Sequence, residues 1–295
     1  MHFSRARRRP TWWREPMMED SNAALAAHIV AAAKQRSSTL IVGLCGAQGS
    51  GKSTRAAQLQ SLLEEQRIST AVISIDDLYL TRPQRVALGI SVHPLLQTRG
   101  VPGTHDVALG LQVLDALATP GIVAIPSFDK SLDDRRPQRE WPKVRAPVKV
   151  ILLEGWCVGA VPQEPGLLIT PVNALERELD VDGSWRRYVN EALAGAYRQL
   201  FGRLDLLILL KAPSFDVVYG WRLEQEHKLR EQAAREGGVL ARVMSDQEVQ
   251  RFISHYERLT RHILSEMPSR ADVVVELDSD RSVKRFSTHS PNACK

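Results

Sequence analysis

The chain has 295 residues, 43% of them apolar and 25% charged, with a formal net charge of +5. This is an ordinary globular composition, long enough to bury a large core without disulfide support. Much of the basic excess sits in Arg5, Arg7, Arg8 and Arg9. The remainder is close to neutral, which argues against a body built as a nucleic-acid surface. No apolar stretch reaches the ~18 residues needed to span a bilayer, so no membrane partner is expected.

The first 20 residues read as a disordered basic extension, a solvated end rather than a binding arm. Their charged start is followed by no apolar run, unlike a secretory leader. An Ala-rich helix is predicted over 22–35, with Asp20 or Ser21 as its cap. TLIVGLCG at 39–46 is a β-branched apolar run ending in glycine and reads as a buried strand. A helix at 52–66 and a second strand, TAVISID at 70–76, follow. Further buried strands are predicted at 121–126, 148–156, 204–212 and 272–278. Helical patterns lie at 106–118, 184–201, 215–235 and 245–266. Apolar strands alternating with helices predict an α/β fold, a mostly parallel sheet with helices on both faces. One domain over 21–280 is expected, followed by a polar tail at 281–295. The loops at 79–105 and 127–147 follow strands, and ligands of such sheets bind at the carboxyl ends of the strands. Cys45, Cys157 and Cys294 make neither a disulfide framework nor a metal-ligand pair, which fits a reducing cytoplasm.

The sharpest motif is GAQGSGKST: Gly46, Ala47, Gln48, Gly49, Ser50, Gly51, Lys52, Ser53 and Thr54. It has the spacing of a phosphate-binding loop, with a strand before it and a helix after it. Glycines let the backbone curl so that its amides converge on phosphate oxygens, and the helix directs its positive end at the same anion. Lys52 is expected to reach the β- and γ-phosphates and the Ser53 hydroxyl to ligate Mg²⁺. Thr54 is placed to cap the helix or touch the α-phosphate. No guanine-reading Asn-Lys-x-Asp occurs, so the nucleotide is read as ATP.

The second strand ends in Asp76 and Asp77. A carboxylate leaving a strand beside a phosphate loop is a candidate base for an attacking hydroxyl. Asp76 is the better candidate, because alternation aims Asp77 elsewhere. Glu154 follows an apolar run in VKVILLEGW. Such an acid needs a partner, either water on Mg²⁺ or a buried cation.

With these residues in view, the chain resembles the D-glycerate 3-kinase family, itself related to uridine kinase, phosphoribulokinase and bacterial pantothenate kinase. The resemblance spans roughly 38–280. It rests on GAQGSGKST, SIDDLYLT, RGVPGTHD (99–106), PSFDKSLDDRRP (126–137), LLEGWCVG (152–159), WRLEQEHKLR (221–230) and MSDQEV (244–249), in that order. It implies a P-loop kinase fold with a helical lid, Asp76 as the catalytic aspartate, Glu154 near the metal, and Arg222 as the lid arginine over the transferring phosphate. An ion pair with Glu226 is the other reading of Arg222. Arg99, His105, Asp106, Lys130 and Arg135 fall in the segments that resemble the acceptor-facing loops. A glycerate carboxylate asks for a cation such as Arg99, Lys130 or Arg135, and its hydroxyls ask for an acid such as Asp106.

The expected activity is phosphoryl transfer from ATP·Mg²⁺ to a hydroxyl on a small metabolite, D-glycerate first. The rivals are a kinase for a nucleoside or pantothenate-like acceptor, and a nucleotide-dependent switch without any acceptor. The oligomeric state is left open.

Overall fold

The structure, a computed structural model, describes residues 14–235 and 244–289. The basic run, Cys294 and the crest of the expected lid lie outside the described residues. In chain order the first half carries α1 (Arg14–Lys34), β1 (Leu40–Gly46), α2 (Lys52–Glu65), β2 (Thr70–Ser74), α3 (Arg82–Ser91), α4 (Val107–Leu117) and β3 (Gly121–Ala124). Then come β4 (Phe128–Asp129), β5 (Asp134–Arg135), β6 (Lys143–Ala146), β7 (Val150–Gly155), α5 (Ala174–Leu179), α6 (Ser184–Ala192) and α7 (Arg198–Phe201). The last are β8 (Leu206–Lys211), α8 (Phe215–Arg235), α9 (Asp246–Glu266), β9 (Val273–Leu277) and β10 (Val283–Thr288).

Among the described residues, six strands form the main sheet in the order β10-β9-β8-β1-β7-β2. All neighbours are parallel except β9 and β10. Every residue of β1 and β7 is buried, as a sheet covered on both faces requires. The chain leaves β1 toward β2 on one side and returns with β8 on the other, so β1 ends at the topological switch point. A ligand crevice is expected there.

Four expectations are corrected. The first helix begins at Arg14, not after residue 20, and runs through both proposed caps; Pro16 sits in its first turn, where no intrahelical amide is lost. β3 is not a buried strand of the main sheet: it pairs antiparallel with β6, and Gly121 and Ile122 are exposed. Four apolar letters give a strand its period but not its sheet. The stretch after 280 is not all loose tail, because β10 closes the sheet as an antiparallel edge. The loop at 79–105 contains α3, entered through a Thr81–Gln84 capping box with Pro83 in the first turn.

Candidate active site

β1 ends at Gly46, and the next residues curl into α2. Gly49 (φ 75°) and Gly51 (φ 84°) take the left-handed conformation that glycine tolerates without cost. At Gly49 there is a second constraint: a Cβ would stand 2.7 Å from the Cβ of Trp221, because α8 packs against the loop. No side chain caps α2, and its first turn carries no acid. Its amides therefore face the crevice free for an anion. Gln48 Oε1 and Ser50 Oγ are buried there without partners.

β7 delivers Glu154 to the same edge, 3% exposed. Its Oε1 accepts a hydrogen bond from Ser53 Oγ at 2.9 Å, while Oε2 is buried and unpartnered. Among the described residues no group of three or more His, Cys, Asp or Glu is placed to hold a metal. One hydroxyl and one carboxylate with a spare lone pair suit an ion that keeps waters and shares phosphate oxygens, which is the habit of Mg²⁺.

Asp76 lies in the 3₁₀ turn Ile75–Leu78 that follows β2. Its Oδ1 accepts from the Tyr79 hydroxyl at 2.8 Å, and its Oδ2 meets Lys130 Nζ at 2.7 Å. Burial pushes the carboxyl upward, but the charges of Lys130 and Lys52 and the two hydrogen bonds outweigh it, holding Asp76 well below the usual carboxylate range. Asp77 is turned away: its Oδ1 accepts from Phe128 N at 2.9 Å and anchors the β4–β5 hairpin. Burial, ahead of the bond from Phe128, raises the Asp77 carboxyl.

Arg222 pairs with Glu226 at 2.5 Å one turn along α8, and also lies over the Phe252 ring. Its Nη1 stays buried and unpartnered, so the pair does not use up the guanidinium.

The residues expected on the acceptor side surround the 78–80 segment. Arg99 pairs with Asp133 and lies over Phe128. Arg135 donates to the Tyr79 carbonyl at 2.8 Å and to Asp106 Oδ2 at 3.2 Å, leaving its Nε without a partner. Asp106 also caps α4 through Leu109 N, so much of its accepting capacity is spent on structure. His105 stacks on Tyr79 with centroids 4.6 Å apart. Its Nδ1 meets the Tyr197 hydroxyl, and its Nε2 is buried and unpartnered. Burial, opposed by the Asp76 charge, pushes the imidazole down to about 4. Lys130 is 62% exposed on the hairpin tip.

Several contributors were not read from the sequence. Tyr79 holds Asp76, and its three-residue spacing from Asp76 is the available signal. Arg85, 1% exposed, donates to the carbonyls of Leu80, Gln97 and Asp133 and ties the segments 79–105 and 127–147 together. Arg281, from the β9–β10 turn, donates to the Gly49 carbonyl at 2.7 Å and pairs with Glu224. Nothing in the local sequence marks Arg281 for that role.

No family model matches the chain. It is 37% identical over 225 residues to the uncharacterized kinase mug58 of Schizosaccharomyces pombe, covering 73% of this chain and 78% of that protein. It is 31% identical over 261 residues to the chloroplastic D-glycerate 3-kinase of Arabidopsis thaliana, covering 82% of this chain and 53% of that one. The solved D-glycerate 3-kinase of Cryptococcus neoformans superposes with a TM-score of 0.73 at 25% identity, covering 91% of this chain and 99% of the other. The chain belongs to the D-glycerate 3-kinase family. Membership makes it an ATP-dependent P-loop kinase with an alcohol group as acceptor. Among the described residues no helix is long and apolar enough to cross a membrane.

Proposed function

We propose that the protein transfers the γ-phosphoryl of ATP to D-glycerate, giving 3-phosphoglycerate. The observation that carries this reading is Asp76, a carboxylate in the turn after β2 whose two oxygens are held by the Tyr79 hydroxyl and Lys130, with the charge of Lys52 also acting on it. A base beside the phosphate cradle can receive the acceptor's proton as the phosphoryl group arrives.

The loop amides of residues 46–51, Lys52 and the start of α2 hold the triphosphate, with Thr54 at its near end. Ser53 and Glu154 would hold Mg²⁺, which neutralises charge on the β- and γ-phosphates when bound. Arg222, through its unpartnered Nη1, stabilises negative charge on the phosphoryl in flight. On the acceptor side Lys130 is the exposed cation for the glycerate carboxylate, with Arg99 and Arg135 behind it. His105 Nε2 and the remaining capacity of Asp106 bond the hydroxyls. Such an assembly has no use in a nucleotide switch without acceptor. The two described cysteines, Cys45 and Cys157, are free and buried, which supports residence in a reducing cytoplasm.

The test is product identity. With ATP·Mg²⁺ and D-glycerate, ADP release should depend on glycerate and the phosphorus spectrum should show the 3-phosphate ester. Release independent of glycerate, or faster with a nucleoside or pantothenate, would overturn the substrate assignment.

A further inference from the structure

Four cations border the acceptor side of the site, and their commitments differ. Arg85 is buried and spent on three carbonyls and Asp133. Arg99 is paired with Asp133. Arg135 is paired with Asp106 and the Tyr79 carbonyl. Lys130 alone among these four is paired with the candidate base itself, through Asp76 Oδ2 at 2.7 Å.

The placement of Lys130 allows it to let go. Asp129, just before it, fixes the hairpin tip: its Oδ1 accepts from the amides of Ser131 and Leu132, and its Oδ2 pairs with Arg136. The Lys130 backbone is thereby held at the mouth while its side chain stays 62% exposed. The ammonium end of this pair stays in water on a flexible stem, so it can be exchanged for another anion. Tyr79 keeps the other oxygen of Asp76 in place whether or not Lys130 is there.

We infer that Lys130 is a substrate-displaced clamp on the base: without an acceptor it occupies Asp76, and an acceptor carboxylate draws it away and frees that oxygen for the proton. This rests on the kinase reading above and adds a source of selectivity for anionic acceptors. With the clamp released, the acceptor hydroxyl gives its proton to Asp76 and forms a bond from its oxygen to the γ-phosphorus. The bond from the γ-phosphorus to the β–γ bridging oxygen breaks, and ADP leaves with that electron pair. With the clamp closed, neither water nor a neutral alcohol finds a free base. Selectivity therefore comes from suppressing the wrong acceptors as well as from binding the right one.

The experiment compares wild type, Lys130→Met and Lys130→Arg by ADP release with ATP·Mg²⁺ alone, with glycerol and with D-glycerate. Glycerol has the same carbon chain and lacks the carboxylate. The expected result for Lys130→Met is a rise of at least threefold in acceptor-free and glycerol-dependent release. Its kcat/KM for D-glycerate should fall at least tenfold, chiefly through KM. Lys130→Arg, which keeps a cation on the hairpin, should hold acceptor-free and glycerol-dependent release below that of Lys130→Met. Acceptor-free and glycerol rates at or below wild type in Lys130→Met would overturn the clamp, since a residue that only binds substrate or orients the base gives that result. If wild type ignores D-glycerate but accepts another anion, the substrate assignment fails by itself. The clamp is then scored on that anion and its neutral counterpart, and the acceptor-free arm is read unchanged.

Discussion

Glu154 is asked to do two incompatible things. As a buried carboxylate with one unpartnered oxygen it burdens the fold, and as the acid bonded to Ser53 it is the residue that would hold Mg²⁺ in the proposed mechanism. Glu154→Gln should therefore stabilise the nucleotide-free protein by roughly 1–3 kcal/mol, seen as a higher thermal midpoint. The same variant should need about 10–100 times more Mg²⁺ for half-maximal activity. His105 makes an opposite prediction for acid. Its imidazole titrates at about 4 when folded and near 6.5 when unfolded. Between those values the unfolded chain binds more protons, so stability falls as pH falls from about 6.5 to about 4, by up to ~1.4 kcal/mol per pH unit. His105→Gln should remove that slope from the pH dependence of the thermal midpoint.

At the scale of elements, the site is made by strand ends and the turns that leave them. The glycine loop, Asp76 and Glu154 were legible because each is a polar departure at the end of an apolar run, and its strand fixes where it emerges. Gly49 adds a constraint that its motif does not announce, the packing of α8 through Trp221. Gly49→Ala should cost about 1–3 kcal/mol from the left-handed backbone alone. It should also weaken ATP binding measurably by calorimetry, since α8 or the loop must shift. Arg222 and Glu226 were read as alternatives, lid cation or helix pair. The structure shows the pair with Glu226 and leaves one guanidinium nitrogen unspent. Tyr79 and Arg281 were not legible as supports, since a hydroxyl or guanidinium takes its role from a partner that only tertiary structure supplies.

Across the whole molecule, the parallel sheet could be read because fully buried strands lack alternation and stand out as continuous apolar runs. β10 lacked that mark: it is an edge strand with exposed Lys284 and Arg285, and a register shift between Val283 and Arg285 breaks its period. The segment between β7 and α6 is also opaque, because beside its small apolar cluster around Leu175 and Trp185 it is held by an ion pair to a distant helix. Arg258 of α9 pairs with Glu176, 1% exposed, and donates to the carbonyls of Leu167 and Thr170. Arg258→Met leaves that carboxylate buried without its cation, with the Val172 amide as its remaining partner. It should destabilise the fold by about 3–5 kcal/mol, visible as a lower urea midpoint.

The base assignment of Asp76 joins the phosphate loop, the acceptor loops and the chemistry, and a single substitution addresses it. Asp76→Asn should bind ATP·Mg²⁺ with wild-type affinity by calorimetry while glycerate-dependent turnover drops by about two orders of magnitude or more. Undiminished turnover in that variant, with glycerate as acceptor, would contradict the assignment.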